Sequence, residues 1–223
     1  MIDRALAREP SPPNRIAQIF WRAGKDNVIR NGDKNYLSGP FVLCKGWAYR
    51  FYRLPDGRRQ ILSVLIPGDL FSAAALLAPD SDFSVQAATD IEFCQLAHDD
   101  VRQNLASEPA IRDALGRSCS AEMDEAISTS IALNHSDAAL RIASFAHRLT
   151  RRMLARQISI EADVYPFHLT PVDIADATGL TPDDVNRALQ KLQQSSILNI
   201  ASDRITIIDA AKLDGFIGSY STI

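Results

Sequence analysis

The chain has 223 residues, 46% hydrophobic and 23% charged, a balance that supports a buried core in one or two domains and excludes disorder. A formal net charge of −3 excludes a polybasic mode of nucleic-acid binding, though not a local basic patch. No apolar run reaches the roughly 18 residues of a membrane span.

In chain order, the opening MIDRALAREPSPPNR lacks the apolar core of a signal peptide, so the expected location is the cytoplasm with no membrane partner. Residues 15–23, RIAQIFWRA, read as a helix leading into a β-rich region. Phe41 to Cys44 and Trp47 to Leu54 read as strands, and Leu54-Pro55-Asp56-Gly57-Arg58 as a hairpin turn. Arg59 to Ile66 is the return strand, closed by a turn at Pro67-Gly68-Asp69. Phe83 to Ala88 and Ile91 to Leu96 add two strands with Thr89-Asp90 between them. Short strands at this spacing predict an antiparallel sandwich, roll or barrel.

Helical periodicity takes over near residue 105, in a region beginning near Asp99. Ile111, Leu115, Cys119, Met123, Ile127 and Ile131 recur every four residues along an expected helix from Ser107 to Ala132. Such a stripe drifts slowly around the helix and packs either on its own domain or on a second copy of the chain; pairing is the preferred reading, so these six residues are the expected dimer interface. Asn134-His135-Ser136-Asp137 breaks the pattern, and Ser136 or Asp137 can cap the next helix, residues 138–157. That helix has an apolar face of Leu140, Ile142, Ala143, Phe145, Ala146, Leu149 and Met153, and residues 157–168 follow as an extended segment.

The three cysteines, Cys44, Cys94 and Cys119, have neither a disulfide framework nor metal-ligand spacing. They read as small apolar fillers, with a redox-sensing thiol as the other reading and Cys119 its candidate. Neither a metal site nor a bound cofactor is expected.

Residues 169–200 carry the functional signal. Thr170 and Thr181 are N-caps, each followed by proline at the first helical position, Pro171 and Pro182. Between the two helices Gly179 permits a left-handed turn. Ile174 and Ala175 face inward, and Leu180, Val185 and Leu189 fill the gap. An ordinary pair of packed helices is the bland alternative, but the two caps, the glycine and the small residue agree on a helix-turn-helix. Its second helix, running to about Gln194, would enter a major groove of double-stranded DNA. Arg187 can pair with guanine, Asn186 with adenine, and Asp183 with the cytosine amino group, while Gln190 lies on the same outward face. Thr170, Thr181 and Lys191 suit phosphate contacts. Asp184 is a carboxylate that Arg187 would have to neutralise. Ile197 to Ile200 and Arg204 to Ile208 form a hairpin wing whose tip lies near Ser202. From Asp137 onward there are nine Lys and Arg against ten Asp and Glu, so positive charge is clustered at Arg141, Arg148, Arg151, Arg152 and Arg156 rather than in excess.

An all-β roll, a long pairing helix and a winged helix-turn-helix, in that order, resemble the Crp/Fnr family of bacterial transcription regulators. The carriers are Gly46 with Tyr49-Arg50, LPDGRRQI at 54–61, PGDLF at 67–71, Arg141-Ile142-Ala143 and LTPVDIADATGLTPDDVNRALQKL. The resemblance implies an α+β chain: an antiparallel double-stranded, jelly-roll-like β-roll over 1–106, a dimerisation helix and hinge over 107–136, and a winged helix-turn-helix over 137–223. It implies a homodimer on a palindromic site, with Asp183, Asn186 and Arg187 at base-reading positions and RNA polymerase as a partner. A Glu is usual where Asp183 stands, and Ser or Gly where Asn186 stands.

Family members that bind cyclic nucleotides carry a Gly-Glu-Leu stretch and then an Arg-Ser or Arg-Thr pair. Here those regions read Ser72-Ala73-Ala74 and Asp80-Ser81-Asp82-Phe83-Ser84, so cAMP gating is not expected and any small-molecule effector is unknown. The cysteine cluster of the oxygen-sensing branch is missing before Cys44, and no haem ligand is identifiable. An enzyme reading fails: His98, His135, His147 and His168 leave the strands without a metal site, and no nucleotide-loop or hydrolase motif is present. The remaining alternative is a regulatory protein–protein module whose roll binds a small effector without specific DNA binding.

Overall fold

The computed structural model describes residues 2–8, 18–30, 40–71, 83–201 and 203–218. It divides into two compact units, residues 1–125 and 126–223. The N-terminal unit holds β1 (Ile2–Arg8), β2 (Gln18–Ala23), β3 (Val28–Arg30), β4 (Phe41–Lys45), β5 (Ala48–Arg53), β6 (Arg59–Leu65), β7 (Leu70–Phe71), β8 (Ser84–Ala87) and β9 (Ile91–Leu96). One sheet has the order β1-β2-β9-β4-β7, the other β3-β8-β5-β6, and their pairings are antiparallel. Trp21, Phe41, Leu43, Phe71 and Phe93 from the first sheet share one core with Ala48, Leu65, Val85 and Ala87 from the second. This is the expected roll.

Residues 18–23 correct the expected helix at 15–23. They form strand β2, paired with β9 from Gln18↔Leu96 to Ala23↔Ile91, while residues 15–17 lie outside the described segments. The deciding period is two, not 3.6: Trp21 and Ala23 are buried and Arg22 between them is exposed. Trp21 stacks on Phe93 and its Nε1 donates to Gln95 Oε1 at 3.1 Å, so the strand is fixed by partners far along the chain. The turn at 67–69 is tied down by Asp69, whose carboxylate accepts the Ile66 N–H at 2.7 Å, and by Gly68 N–H on Leu43 O at 2.7 Å.

Helix α1 (His98–Asn104) precedes α2 (Pro109–Leu133). The division between the units falls inside α2. Ser118 Oγ donates to Leu70 O at 2.7 Å and Glu122 accepts from Arg50 at 2.8 Å, which joins the third and fourth turns to the roll. In the last turns Arg148 reaches Thr129 Oγ1 at 3.5 Å, so this end belongs with the helices that follow.

The C-terminal unit continues with α3 (Ala138–Ala155), β10 (Val164–Pro166), α4 (Pro171–Thr178), α5 (Pro182–Gln194), β11 (Leu198–Ala201), β12 (Arg204–Ile207) and α6 (Ala210–Gly218). The apolar face expected on α3 is buried throughout. The extended segment after it supplies β10, which makes the wing a three-stranded sheet of order β10-β12-β11. The wing tip at Ser202 lies outside the described residues. The sequence reading had no counterpart for α6, a short helix that buries Leu213 and brings Asp214 to 3.5 Å from His147 of α3.

Cys94 is buried and its thiol is pushed up to about 11 by that burial, in keeping with a filler. Cys44 and Cys119 are exposed, which corrects the filler reading for both. Among the described residues no helix is long and apolar enough to cross a membrane.

Candidate nucleic-acid interface

Two capping boxes shape the helix-turn-helix. Thr170 Oγ1 donates to Asp173 Oδ2 at 2.7 Å and accepts the Asp173 N–H at 3.2 Å, and Thr170 N–H returns to the same carboxylate at 2.9 Å. At α5, Thr181 Oγ1 donates to Asp184 Oδ2 at 2.6 Å and accepts the Asp184 N–H at 3.2 Å. Each box satisfies donors that a helix start otherwise leaves open. Both hydroxyl hydrogens are thereby spent on carboxylates, so Thr170 and Thr181 have no hydrogen to donate to phosphate in this arrangement.

The turn between α4 and α5 needs its glycine. Gly179 sits at φ +64°, and a Cβ there would lie 2.7 Å from Leu133 Cδ2. Ile174, Ala175 and Val185 are buried at the crossing as expected. Leu180 and Leu189 are only half-buried, and Ala188 takes the deeper place.

Asp183, Asn186, Arg187 and Gln190 are exposed together on α5, at the i, i+3, i+4 and i+7 spacing of one helix face. The opposite face, Val185, Ala188 and Leu192, is buried. Asp184 is not an isolated carboxylate. The Thr181 hydroxyl, then the Thr181 amide and Arg187, hold its carboxyl below the usual range. Arg187 donates Nη2 to Asp184 Oδ1, and its side chain is 70% exposed, so its other guanidinium donors stay accessible. Lys191, expected at phosphate, is exposed but paired through Nζ with Asp137 Oδ2 at 3.0 Å. Asp137 is itself the N-cap of α3, accepting the Ala139 N–H at 2.8 Å. Burial opposes its ionisation, but Lys191 and the Ala139 amide outweigh that and keep the carboxyl below its ordinary range.

One residue of this unit has a role that the sequence reading did not assign. Arg141 of α3 donates Nε to His135 O at 2.7 Å, and Nη1 to Gly179 O at 3.2 Å and Thr178 O at 3.4 Å. One guanidinium thus joins the segment after α2 to the carbonyl end of α4, where the helix dipole favours a cation. The signal available in the sequence was an arginine one turn into α3; its targets are backbone carbonyls, which residue types do not reveal. Arg141→Leu should lower the stability of the C-terminal unit by about 1–2 kcal/mol. The helical circular-dichroism transition should fall, while tryptophan fluorescence stays unchanged because Trp21 and Trp47 both lie in the N-terminal unit.

Of the six residues expected at a dimer seam, Ile111 and Leu115 pack partly against the buried Val101 of α1. Cys119 is exposed, and Met123, Ile127 and Ile131 are 66%, 52% and 59% exposed. A four-residue step advances about 40° beyond a full turn, so five steps rotate the stripe by about 200°. One end therefore faces α1 and the other faces away.

Comparison with known proteins follows the same division of the chain. A model described as the cyclic nucleotide-binding domain matches residues 21–108, and one described as the Crp-like helix-turn-helix domain matches residues 140–216. The anaerobic regulatory protein of Pasteurella multocida is 26% identical over 214 residues, 96% of this chain and 74% of its own length. The nitrogen fixation regulation protein FixK of Bradyrhizobium diazoefficiens is 28% identical over 166 residues, 74% of this chain and 68% of that protein. The solved structure of FixK2 from Bradyrhizobium japonicum aligns with a TM-score of 0.75 at 22% identity, over 89% of this chain and 96% of that one. A CooA mutant from Carboxydothermus hydrogenoformans aligns with a TM-score of 0.69 at 17% identity, over 89% and 87%. At such identities the two structures bear on the fold alone.

Proposed function

The chain belongs to the Crp/Fnr family of DNA-binding transcription regulators, and from that premise we propose that it is a homodimer reading a palindromic duplex through α5. The observation that carries this reading is the outward face of α5, where Asp183, Asn186, Arg187 and Gln190 stand exposed on a helix whose start is fixed by a capping box. A helix presented in this way fits the major groove, with one copy per half-site and half-sites about 34 Å apart. Arg187 supplies two outward donors for guanine O6 and N7 while it neutralises Asp184. Asn186 suits adenine, and Asp183 suits the cytosine amino group. Lys191 reaches phosphate by exchanging Asp137 for a phosphate oxygen. For Thr170 and Thr181, the contacts come from the helix N-termini they cap rather than from their hydroxyls.

Cys119, Met123, Ile127 and Ile131 supply the seam between subunits, flanked by Ile111 and Leu115. RNA polymerase is the partner that a regulator bound upstream of a gene would contact. The segment 72–82, SAAALLAPDSD, offers neither the glutamate nor the arginine that a cyclic nucleotide would need, so binding does not depend on cAMP.

Selection of duplexes from a random pool by the purified full-length protein tests this reading, with and without added cAMP. A palindrome enriched equally in both arms is expected. Failure to enrich any sequence would favour the protein–protein module, and enrichment only with cAMP would overturn the ungated reading. On the selected duplex, Arg187→Ala should cost about 1–3 kcal/mol and relax the preference at one base pair per half-site. Equal losses on selected and random DNA would mean that Arg187 does not read a base.

A further inference from the structure

On the core-facing side of β5, next to the buried Ala48 and paired with Val85 and Ser63, stands Arg50. Its side chain is 12% exposed. The guanidinium donates Nε to Ser63 Oγ at 2.8 Å and Nη1 to Glu122 Oε2 at 2.8 Å, with its carbon 5.3 Å from the centroid of the Phe83 ring. Glu122 belongs to α2, and its other oxygen, Oε1, is buried without a hydrogen-bond partner. One turn earlier on α2, Ser118 donates to Leu70 O. Two polar contacts on successive turns therefore hold the helix to β5 and β7.

An arginine among core residues is costly unless its charge is matched, and removing one member of such a pair strands the other. Separating α2 from the roll would strand both Arg50 and Glu122. Contacts of this kind favour one placement of the helix on the roll. The same helix continues past Glu125 into the C-terminal unit.

We propose that the Arg50–Glu122 pair is a built-in latch that holds α2 on the roll in the arrangement competent for DNA, doing the work that a small-molecule effector would otherwise do. Arg50 and Glu122 are positioning residues in this scheme, since neither touches DNA. The inference rests on the reading of the chain as a dimer that binds DNA through α5.

The test compares wild type, Arg50→Met, Glu122→Gln and the double variant, each as full-length protein. Three quantities are measured: affinity for the selected palindrome by fluorescence anisotropy, mass by light scattering, and the tryptophan unfolding midpoint. Each single variant should bind the palindrome tenfold or more weakly while keeping the dimer mass and a roll that is fully folded at the assay temperature, although the unmatched charge lowers its midpoint. The double variant should bind no more weakly than either single variant, because no unmatched charge remains. Single variants that bind like wild type would overturn the latch and leave the DNA-binding reading intact. DNA binding that falls only in step with the unfolding midpoint, with no coupling between the two positions, would also overturn it and reduce the pair to a structural contact. A wild-type protein that binds no selected duplex would instead defeat the underlying reading.

Discussion

Ile127→Asp should convert the protein to a monomer and abolish tight binding to a palindrome. Ile127 is 52% exposed in the single chain, so the substitution removes little packing from the folded subunit. Across the proposed two-fold seam it would place a carboxylate from each subunit against apolar Met123 and Ile131 of the other. Burying those unmatched charges should weaken dimerisation by about 3 kcal/mol or more, a hundredfold or greater change in the association constant. Light scattering at micromolar concentration should report half the wild-type mass. Affinity for the selected palindrome should fall towards that of a single half-site, while the monomer stays folded and loses only the stability that association supplied. Ile160→Asp is the matched control: Ile160 is 51% exposed but lies outside α2, and its change should leave the mass unaltered. An Ile127→Asp protein that remains dimeric would place the seam elsewhere.

Gly46→Ala should be the most damaging single methyl in the N-terminal unit. Gly46 joins β4 to β5 at φ +80°, where a side chain is strained. A Cβ there would stand 2.1 Å from Asp90 O and 2.7 Å from Thr89 Oγ1. Neither neighbour can retreat cheaply. Thr89 Oγ1 accepts the Trp47 N–H at 2.9 Å and donates to Asp90 O at 3.0 Å, and the Ala88 N–H donates to Trp47 O at 2.8 Å. The two turns are laced together, so the methyl group must push backbone against backbone. A loss of about 3 kcal/mol or more is expected. The units should be followed separately, because a two-unit chain does not unfold as one step. The tryptophan midpoint should fall sharply while the helical transition of the C-terminal unit holds. An unchanged tryptophan midpoint would show that the two turns move apart at little cost.

The parts of this protein legible in its sequence are those set by neighbours in the chain. The two N-caps, the prolines behind them and Gly179 mark α4 and α5 to within a residue or two, because a cap acts within four residues of itself. The hairpin at 54–58 and the strand from Ile91 to Leu96 were equally local. The outward face of α5 followed from helical period alone. These local rules were enough to place the candidate DNA interface.

Other features were decided by partners distant in the chain. RIAQIFWRA contains apolar residues at both helical and strand spacings, and pairing with β1 on one side and with β9, some seventy residues on, on the other makes Gln18–Ala23 a strand. The stripe from Ile111 to Ile131 looks continuous as a string, yet Val101 takes up its first members and leaves the later ones exposed. Arg50, Arg141 and Lys191 are three surface-type residues by composition. Tertiary structure alone assigns them to Glu122, to the carbonyls at His135, Thr178 and Gly179, and to Asp137. The amino-acid sequence by itself determined the helix-turn-helix and the exposed face of its second helix, since caps, turns and periodicity are written within a few residues. The tertiary structure decided which charges are matched and which apolar residues stay exposed, since an ion pair or a buried contact depends on what the fold brings alongside.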